Sequence, residues 1–212
     1  MNGALLSELR VRPLPIVRAG SAAGLLASSL EDDPAWTALY PEVIQRRAAL
    51  RTTCGVAARD AASLGTATMA TDDGGGGRLL GAAIWLAPGA FPMSATRKLR
   101  AARAMLAVLG SAPRRFARYV EFGTNVEKAF PKDPVWYLEI LGVARDVQRR
   151  GIGRRLLEQG LERADADSRP AYLETSAPDN VGYYERFGFR VEREVTLLPG
   201  GPPHWAMRRP IA

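Results

Sequence analysis

The 212-residue sequence contains one cysteine, Cys54, and one histidine, His204. A single cysteine excludes an intrachain disulfide and a zinc site built on several cysteines. A single histidine excludes metal sites built on several histidines, and any histidine-dependent catalytic triad would have to use His204. We therefore expect no metal centre. Cys54 lies in a helical pattern and is most simply a small buried residue.

Long apolar runs are also absent. No stretch of the chain approaches the ~20 apolar residues that a membrane-spanning helix needs. Residues 1–15 lack the apolar run of a secretory signal peptide. These two absences predict a cytoplasmic protein that does not associate with a membrane.

Negative charge is scarcer than positive charge, because 29 Lys and Arg residues face 22 Asp and Glu residues and leave a net charge of +7. A basic balance indicates an anionic partner such as nucleic acid, a membrane surface or a phosphorylated cofactor. More than half of the excess lies in residues 145–155, and no nucleic-acid recognition motif accompanies it. This position favours a local phosphate site over a nucleic-acid surface. The charges concerned are Arg145, Arg149, Arg150, Arg154 and Arg155, less Asp146.

Composition and length indicate one soluble domain over residues 1–212, with 47% hydrophobic and 24% charged residues. In the first half, Pro13 and Pro15 place a strand over residues 11–18 at a sheet edge. Ser21 is the expected N-cap of a helix that buries Leu25, Leu26 and Leu30. A break at residues 32–34 precedes a second helix, which runs from residue 41 to residue 64. Residues 66–71 and 78–87 predict a hairpin.

An amphipathic helical insertion is expected over residues 94–130, with Leu99, Leu106 and Leu109 among its periodic apolar positions. Beyond it, the patterns predict strands over residues 136–143, 171–175, 189–197 and 205–208. They predict helices over residues 148–164 and 181–187, with Gly188 at the C-terminal end of the second. Strands outnumber crossover connections, so the fold class is α+β, or α/β in three layers, with a mixed sheet.

The segment from Val143 to Arg154 carries the clearest chemistry. A strand ends at Val143, a tight loop follows, and a helix begins near Gly151. Backbone N–H groups at a helix start have no intrahelical partner, and with the helix dipole they form a phosphate site. Gly151 and Gly153 let an anion approach the backbone. A dinucleotide fingerprint would need a third glycine where Leu156 stands, and no Gly-Lys pair exists for a Walker A loop. The alternative is a solvated arginine face on a surface helix.

Two motifs make the resemblance specific. Gln148-x-x-Gly151-x-Gly153 follows the strand of residues 138–143, and residues 173–176, Asn180 and residues 183–189 follow in order. Together they resemble the GNAT superfamily of N-acetyltransferases. The match covers residues 136–208 strongly and the first half in outline. The layout is similar to puromycin N-acetyltransferase and related bacterial small-molecule acetyltransferases, which carry a comparable helical insertion. The resemblance implies acetyl-CoA as cofactor. It also implies a mixed, mostly antiparallel central sheet flanked by helices, with the insertion between the third and fourth strands.

The resemblance also implies catalytic roles. Tyr184 matches the tyrosine acid of the family, since a phenol keeps its proton at neutral pH, whereas Tyr183 better suits packing against the sheet. Glu139 is the candidate base, on the face of its strand that alternation would share with Tyr137, Leu141 and Val143. A salt bridge to an arginine is the structural alternative for Glu139. Glu174 or an ordered water are the alternative proton acceptors.

Cofactor contacts follow from the same resemblance. The backbone near Leu141 to Val143 should meet the thioester oxygen and pair with pantetheine as another strand would. Asn180 resembles the pantetheine contact of the family, or caps the helix that starts at Val181. The expected cofactor-binding residues are Leu141, Gly142, Val143, Gln148, Arg149, Arg150, Gly151, Ile152, Gly153, Arg154 and Asn180.

The acceptor site is less readable. Aromatic residues at helical spacing either belong to the core or wall an acceptor pocket, and Trp36, Tyr40, Phe116 and Tyr119 are the candidates. As the only imidazole, His204 is a further candidate base on the substrate side of the site, and the alternative is a surface strand residue. The predicted function is acetyl transfer to a small-molecule amine such as an antibiotic or an aminonucleoside. The alternatives are acetylation of a protein N-terminus or lysine, and a non-catalytic module that binds coenzyme A.

Overall fold

The computed structural model describes residues 9–72 and 77–211. The central four residues of the predicted hairpin turn, 73–76, lie outside the described residues. Short 3-10 turns form at Ile16–Arg18 and Arg145–Val147. The strands are β1 (Arg10–Pro13), β2 (Thr68–Thr71), β3 (Leu79–Leu86), β4 (Trp136–Val143), β5 (Ala171–Thr175), β6 (Arg190–Val195) and β7 (His204–Arg209). The helices are α1 (Ala19–Ser29), α2 (Pro34–Leu39), α3 (Val43–Ser63), α4 (Ala95–Ser111), α5 (Pro113–Ala129), α6 (Ile152–Ala166) and α7 (Pro178–Glu185).

The strands form one seven-stranded sheet in the order β1-β2-β3-β4-β5-β7-β6. All neighbouring pairs are antiparallel except β4 and β5, which are parallel. The insertion, α4 and α5, lies between the third and fourth strands, and β1 is an edge strand. The mixed, mostly antiparallel sheet expected from the sequence is therefore confirmed. Within the described residues, no helix is both long and apolar enough to cross a membrane.

Helices cover both faces of the sheet and give the molecule its three layers. On one face, α1 and α3 bury Leu26 and Leu50 against Ile84 and Tyr137 of the sheet. On the other face, α6 packs its apolar stripe against the ring of Trp85. The buried members of that stripe are Ile152, Leu156, Leu157, Leu161 and Ala164, as the sequence periodicity predicted.

Several element ends differ from the sequence predictions for local physical reasons. β1 ends at Pro13, because the chain from Ile16 turns into a 3-10 helix that leads directly into α1. Ser21 therefore lies inside α1 rather than at its N-cap, and only Leu26 of the three predicted leucines is fully buried. The predicted break at residues 32–34 is confirmed, since α1 ends at Ser29 and α2 begins at Pro34, but the sequence did not predict that short helix. Asp33 caps α2 by accepting hydrogen bonds from the N–H groups of Ala35 and Trp36 at 2.9 and 3.2 Å.

In the second half, α6 begins at Ile152, four residues later than predicted, because the loop before it is too irregular to be helical. Helix α7 begins at Pro178, a favourable first helical residue, so Asn180 is not its N-cap. Gly188 follows α7 in the left-handed conformation, with a φ of +84°, as predicted for a residue that ends a helix.

The apolar face predicted for the insertion is only partly correct. Leu99 and Leu106 of α4 are 75% and 64% exposed. The face that α4 turns inward carries the buried Val108 and the cavity-lining Ala101 instead. The side chain of Leu109 lies outside what the structure describes.

Gly160 tests the packing of α6 on the sheet. A Cβ atom at this position would lie 2.1 Å from the indole ring of Trp85, which is fully buried. We expect Gly160→Ala to lower the free energy of unfolding by about 2 kcal/mol, because overpacking outweighs the gain in helix propensity. Urea denaturation measures the change. Gly24→Ala is the matched control, since no atom lies within 4 Å of its added methyl group, and it should be neutral or slightly stabilising. Equal effects in the two variants would contradict the packing argument.

Candidate active site

The parallel strands β4 and β5 pair over two residues only. Trp136 pairs with Ala171 and Tyr137 with Tyr172, after which the strands separate. The outer edges of both strands stay paired, β4 with β3 as far as Val143 and β5 with β7 along its whole length. The backbone groups of β4 that point away from β3 beyond Tyr137 therefore border an open cleft and are available to a ligand.

A β-bulge at Glu139 lies where this cleft begins. Ile140 pairs with Ile84 and Leu138 with Trp85, so Glu139 is the extra residue without a partner on β3. A bulge interrupts the alternation of side chains along a strand. The predicted common face of Tyr137, Glu139, Leu141 and Val143 is therefore wrong. Tyr137 belongs to the core under α1 and α3, whereas Leu141 and Val143 pack against the core under α6.

The cleft leads into a cavity of about 570 Å³ between the sheet, α2, α3 and the insertion. Most of its wall is apolar, with polar groups from β4, β5, α7 and β7. Of the residues predicted for the site, it brings together Glu139, Leu141, Tyr184, Asn180, Trp36, Tyr119 and His204, and it adds the alternative base Glu174.

Glu139 carries an acceptor atom without a partner in this cavity. Its Oε2 is buried and receives no hydrogen bond in the described residues. Burial, together with the nearby charges of Asp60 and Glu174, raises the pKa of Glu139 to about 7 against the opposing effect of Arg97. The guanidinium of Arg97 is bound to Asp60, with Nε to Oδ1 at 2.9 Å. The structural alternative, a salt bridge of Glu139 with an arginine, is not formed among the described residues.

Glu174 faces the same cavity from β5. Burial raises the pKa of Glu174 to about 7, and the hydroxyls of Tyr137 and Tyr172 lower it in part. Its Oε1 is buried and receives no hydrogen bond from the described residues. The two strands that separate at the cleft thus each contribute one carboxyl group that titrates near neutral pH.

Tyr184 lies on α7 with its ring packed between Tyr183 and Phe189, at centroid distances of 5.2 and 5.9 Å. It lines the cavity, and burial raises its pKa, so the phenol is protonated at neutral pH. Tyr183 instead stacks beside Phe187 and under Arg186. The two tyrosines therefore have different environments, although Tyr183 contacts Phe187 and Arg186 rather than packing against the sheet as expected, and the role of Tyr184 as the acid stays a prediction.

The loop between β4 and α6 has the backbone expected of a phosphate site. Arg149 and Gly151 adopt left-handed conformations, with φ of +59° and +84°. Helix α6 begins directly after Gly151, and the N–H groups of its first turn have no intrahelical acceptor. The side-chain amide of Gln148 donates to the carbonyl of Val143 at 3.3 Å and ties the loop to the end of β4. The loop thus offers a concave row of N–H groups beside the cleft.

Part of the positive charge predicted for this loop is already paired. Arg145 binds Asp32 at 2.8 Å and links the loop to the turn between α1 and α2. Asp146 binds Arg78 at 2.6 Å. Arg145 therefore serves the scaffold rather than an anion. The exposed or half-buried arginines that surround the helix start are Arg149, Arg150, Arg154 and Arg155, and Arg154 pairs with Glu158 at 2.7 Å.

Some predicted contacts lie elsewhere. Tyr40 is fully buried and Phe116 packs in the same cluster behind the cavity, so neither lines it. At Gly142 a side chain would collide with Ser29 of α1, whose Oγ would lie 2.2 Å from the added Cβ. The absence of a side chain at Gly142 therefore allows α1 to pack closely on β4, and only the backbone of Gly142 is available to a cofactor. His204 is 4% exposed rather than a surface residue, because it starts a strand beneath α5 and faces Phe122.

Sequence reasoning missed two polar residues of the cavity wall, Asp33 and Ser176. Ser176 donates a hydrogen bond to Asp33 at 2.9 Å and so joins the end of β5 to the start of α2. The Asp-Pro pair before Trp36 is a helix-start signal that could have revealed Asp33. Nothing in the sequence indicates its contact with Ser176, which lies 143 residues away.

Comparison with known proteins agrees with this geometry. The sequence model of the acetyltransferase (GNAT) family matches residues 27–189. The chain therefore belongs to the GNAT family of acetyltransferases, an acyltransferase family whose acetyl donor is acetyl-CoA. An uncharacterized N-acetyltransferase of Schizosaccharomyces pombe is 37% identical over 65 residues, which span 31% of this chain and 26% of that protein.

Solved structures share the fold across nearly the whole chain. One of them is a protein from Corynebacterium glutamicum described as "histone acetyltransferase HPA2 and related acetyltransferase". It superposes with a TM-score of 0.69 and 24% identity, and the match covers 97% of both chains. Arylalkylamine N-acetyltransferase 2 of Aedes aegypti superposes with a TM-score of 0.60 and 16% identity, and the match covers 96% of this chain and 99% of that chain. Arabidopsis thaliana Naa50 in complex with the bisubstrate analogue CoA-Ac-MVNAL superposes with a TM-score of 0.54 and 13% identity. The match covers 95% of this chain and 98% of that chain. At these identities the likeness shows the fold alone.

Gly151 tests the loop. We expect Gly151→Ala to raise the Kd for coenzyme A about tenfold, because a side chain at a φ of +84° is strained and shifts the N–H groups around it. Isothermal titration calorimetry measures the change. Gly200→Ala places the same strain at a φ of +68° in a turn outside the loop, and its Kd should equal that of the parent protein. If Gly151→Ala binds coenzyme A with the Kd of the parent protein, the loop is not part of the cofactor site.

Proposed function

We propose that the protein transfers the acetyl group of acetyl-CoA to the amine of a small molecule with a largely apolar body. One observation carries the proposal. The cavity that opens on the cleft between β4 and β5 contains two carboxyl groups with a pKa near 7 and a protonated tyrosine. These are the groups that amine acylation requires, a proton acceptor for the amine and a proton donor for the leaving thiolate.

In this proposal the cofactor lies along the cleft. Its diphosphate takes the N–H groups and arginines at the start of α6, and its pantetheine arm pairs with the free edge of β4. An N–H group of that edge near Leu141 binds the thioester oxygen, a contact worth about 3 kcal/mol in the transition state. The residues assigned to the cofactor are Leu141, Gly142, Val143, Gln148, Arg149, Arg150, Gly151, Ile152, Gly153, Arg154 and Asn180.

The reaction is a direct transfer. Glu139 takes a proton from the ammonium group, and the neutral nitrogen attacks the thioester carbonyl carbon. The C–N bond forms, the C–S bond breaks, and Tyr184 gives its proton to the departing sulfur. The nitrogen loses two protons overall. One replaces the proton of Tyr184, and the other leaves to water through Glu139. The enclosed site holds the two reactants together, so the attack becomes effectively unimolecular.

The insertion favours a small molecule over a peptide. It borders the cavity and is tied to the rest of the fold by several side-chain contacts, of which three follow. Arg97 binds Asp60, Tyr119 shares a hydrogen bond with Thr53 at 3.0 Å, and the Asn125 amide donates to the carbonyl of Leu197 at 3.0 Å. An extended peptide would have to displace one of these contacts. The enclosed shape accords with amine acceptors such as antibiotics, aminonucleosides or arylalkylamines.

The alternative acceptor is a protein N-terminus, which the fold also serves in structures such as Naa50. Incubation with acetyl-CoA, a panel of small amines and a peptide library separates the two. Mass spectrometry should find acetylated small amines and unmodified peptides. Acetylated peptides alone would reverse the assignment of the acceptor. Tight binding of coenzyme A with no transfer to any acceptor would favour a non-catalytic module.

Tyr184 is tested against its neighbour. We expect Tyr184→Phe to lower kcat by about 10² to 10³ with little change in the Kd for coenzyme A, because only proton donation to sulfur is lost. Tyr183→Phe is the matched control and should retain most of kcat. Coenzyme A release, followed with a thiol reagent, gives the rates. Full activity in Tyr184→Phe would remove Tyr184 as the acid.

The pH profile tests the base. The base must be deprotonated, so kcat/KM should rise with pH and level off above about 7, which is the pKa that burial gives Glu139. We expect Glu139→Gln to lose about 10² in kcat/KM together with this limb of the profile. Glu174→Gln should keep the limb. The opposite pattern would assign the base to Glu174, and a limb in both variants would indicate a water relay.

A further inference from the structure

The cavity contains three buried polar atoms that no hydrogen bond satisfies in the described residues. They are Oε2 of Glu139, Oε1 of Glu174 and Nε2 of His204. Buried polar atoms in folded proteins are nearly always hydrogen-bonded, so these three indicate where a ligand binds. The two carboxyl groups serve the amine in the proposed reaction. His204 has no function in that chemistry.

The protonation state of His204 follows from its contacts. Its Nδ1 lies 3.2 Å from the carbonyl oxygen of Pro202. A carbonyl only accepts hydrogen bonds, so Nδ1 carries the proton. Burial lowers the pKa of His204, although the nearby Asp33 opposes this, and the ring is neutral at physiological pH. Nε2 therefore carries a lone pair, it receives no hydrogen bond in the described residues, and it belongs to a residue that lines the cavity.

The described residues supply no donor for Nε2. Ser176 is a neighbouring hydroxyl on the sheet, because Thr175 pairs with Trp205 and the next residues on each strand are Ser176 and His204. The Ser176 hydroxyl donates to Asp33 at 2.9 Å and accepts from the N–H of Ala35 at 3.3 Å, so its proton is already used. On the other side, His204 meets the ring of Phe122 at a centroid distance of 5.6 Å.

The sheet also fixes the spacing between His204 and Glu174, the second carboxyl group of the cavity. Glu174 pairs with Ala206, and His204 is two residues from Ala206 on the same face of β7. Diagonal neighbours of this kind on adjacent strands lie roughly 7 Å apart. The aromatic residues Trp36, Tyr119 and Phe122 line the same cavity. A ring with a two-carbon arm spans this distance.

We propose that Nε2 of His204 binds a second hydrogen-bond donor of the acceptor, so that the preferred substrate is an amine with a distal hydroxyl or amino group across an apolar, ring-sized body. This inference rests on the proposed function and narrows its substrate class. His204 then selects among amines, and the proton transfers stay with the carboxyl groups and Tyr184.

Three amines of one shape test the proposal. Tyramine has a distal hydroxyl donor, phenethylamine has none, and 4-methoxyphenethylamine has an oxygen that only accepts. We expect kcat/KM for tyramine to exceed that for either other amine about tenfold, since a buried acceptor left unpaired is costly. In His204→Phe the ratio should fall to about one. Phe122→Leu, which changes the same wall without touching a polar atom, should keep the parental ratio.

Calorimetry of the three amines with the coenzyme A complex gives the same comparison without turnover. Turnover without a preference for tyramine, or a preference that survives in His204→Phe, overturns the inference and leaves the proposed function intact. A His204-dependent binding preference without turnover supports the inference and overturns the proposed function. If the protein shows no turnover and no binding preference among the three amines, the inference is overturned. Thermal unfolding checks each variant, and His204→Leu replaces His204→Phe if the larger ring prevents folding.

Discussion

The separation of β4 from β5 after two residue pairs is the constraint on which the site depends. Backbone groups in a sheet need partners, and the outer edges of both strands already have them in β3 and β7. Only the facing edges stay open, and they diverge toward the start of α6. A pantetheine arm can pair with such an edge, which is why we propose that the cofactor lies along this cleft.

The two sides of the sheet then separate the two substrates. The loop before α6 collects arginines and free N–H groups where a diphosphate would lie. The face under α1, α3 and the insertion collects carboxyl and imidazole acceptors among aromatic rings. The bulge at Glu139 joins the two regions, because the extra residue leaves β4 free to pair with β3 while its carboxyl group borders the cavity. In the proposed arrangement, the acetyl donor and the amine would meet where the strands separate.

The sequence predicts the second half of the fold best, because the same residues there carry both the local structural signals and the functional motifs. Gln148, Gly151 and Gly153 define a loop whose backbone must take particular conformations, and the structure shows them at Arg149 and Gly151. The bulge escapes prediction, since alternation is assumed until the partner strand is known. The buried state of His204 also depends on distant elements, because α5 covers it only after the insertion folds back over the sheet. Tyr40 and Trp36 have the same helical spacing signal, and only the position of α2 decides which of them lines the cavity.

The buried carboxyl groups would favour an ammonium ion in the acceptor site that we propose. A carboxyl group whose pKa is higher in the folded chain than in the unfolded chain lowers the stability of the fold as the pH rises from its ordinary value of 4.5 to about 7. An arriving ammonium ion reverses this shift, because an opposite charge nearby favours the ionised form. Binding therefore restores the carboxylate that must accept the proton. A neutral ligand of the same shape would leave that cost in place, so the cost of burying the two carboxylates would contribute to a preference for amines in the proposed function.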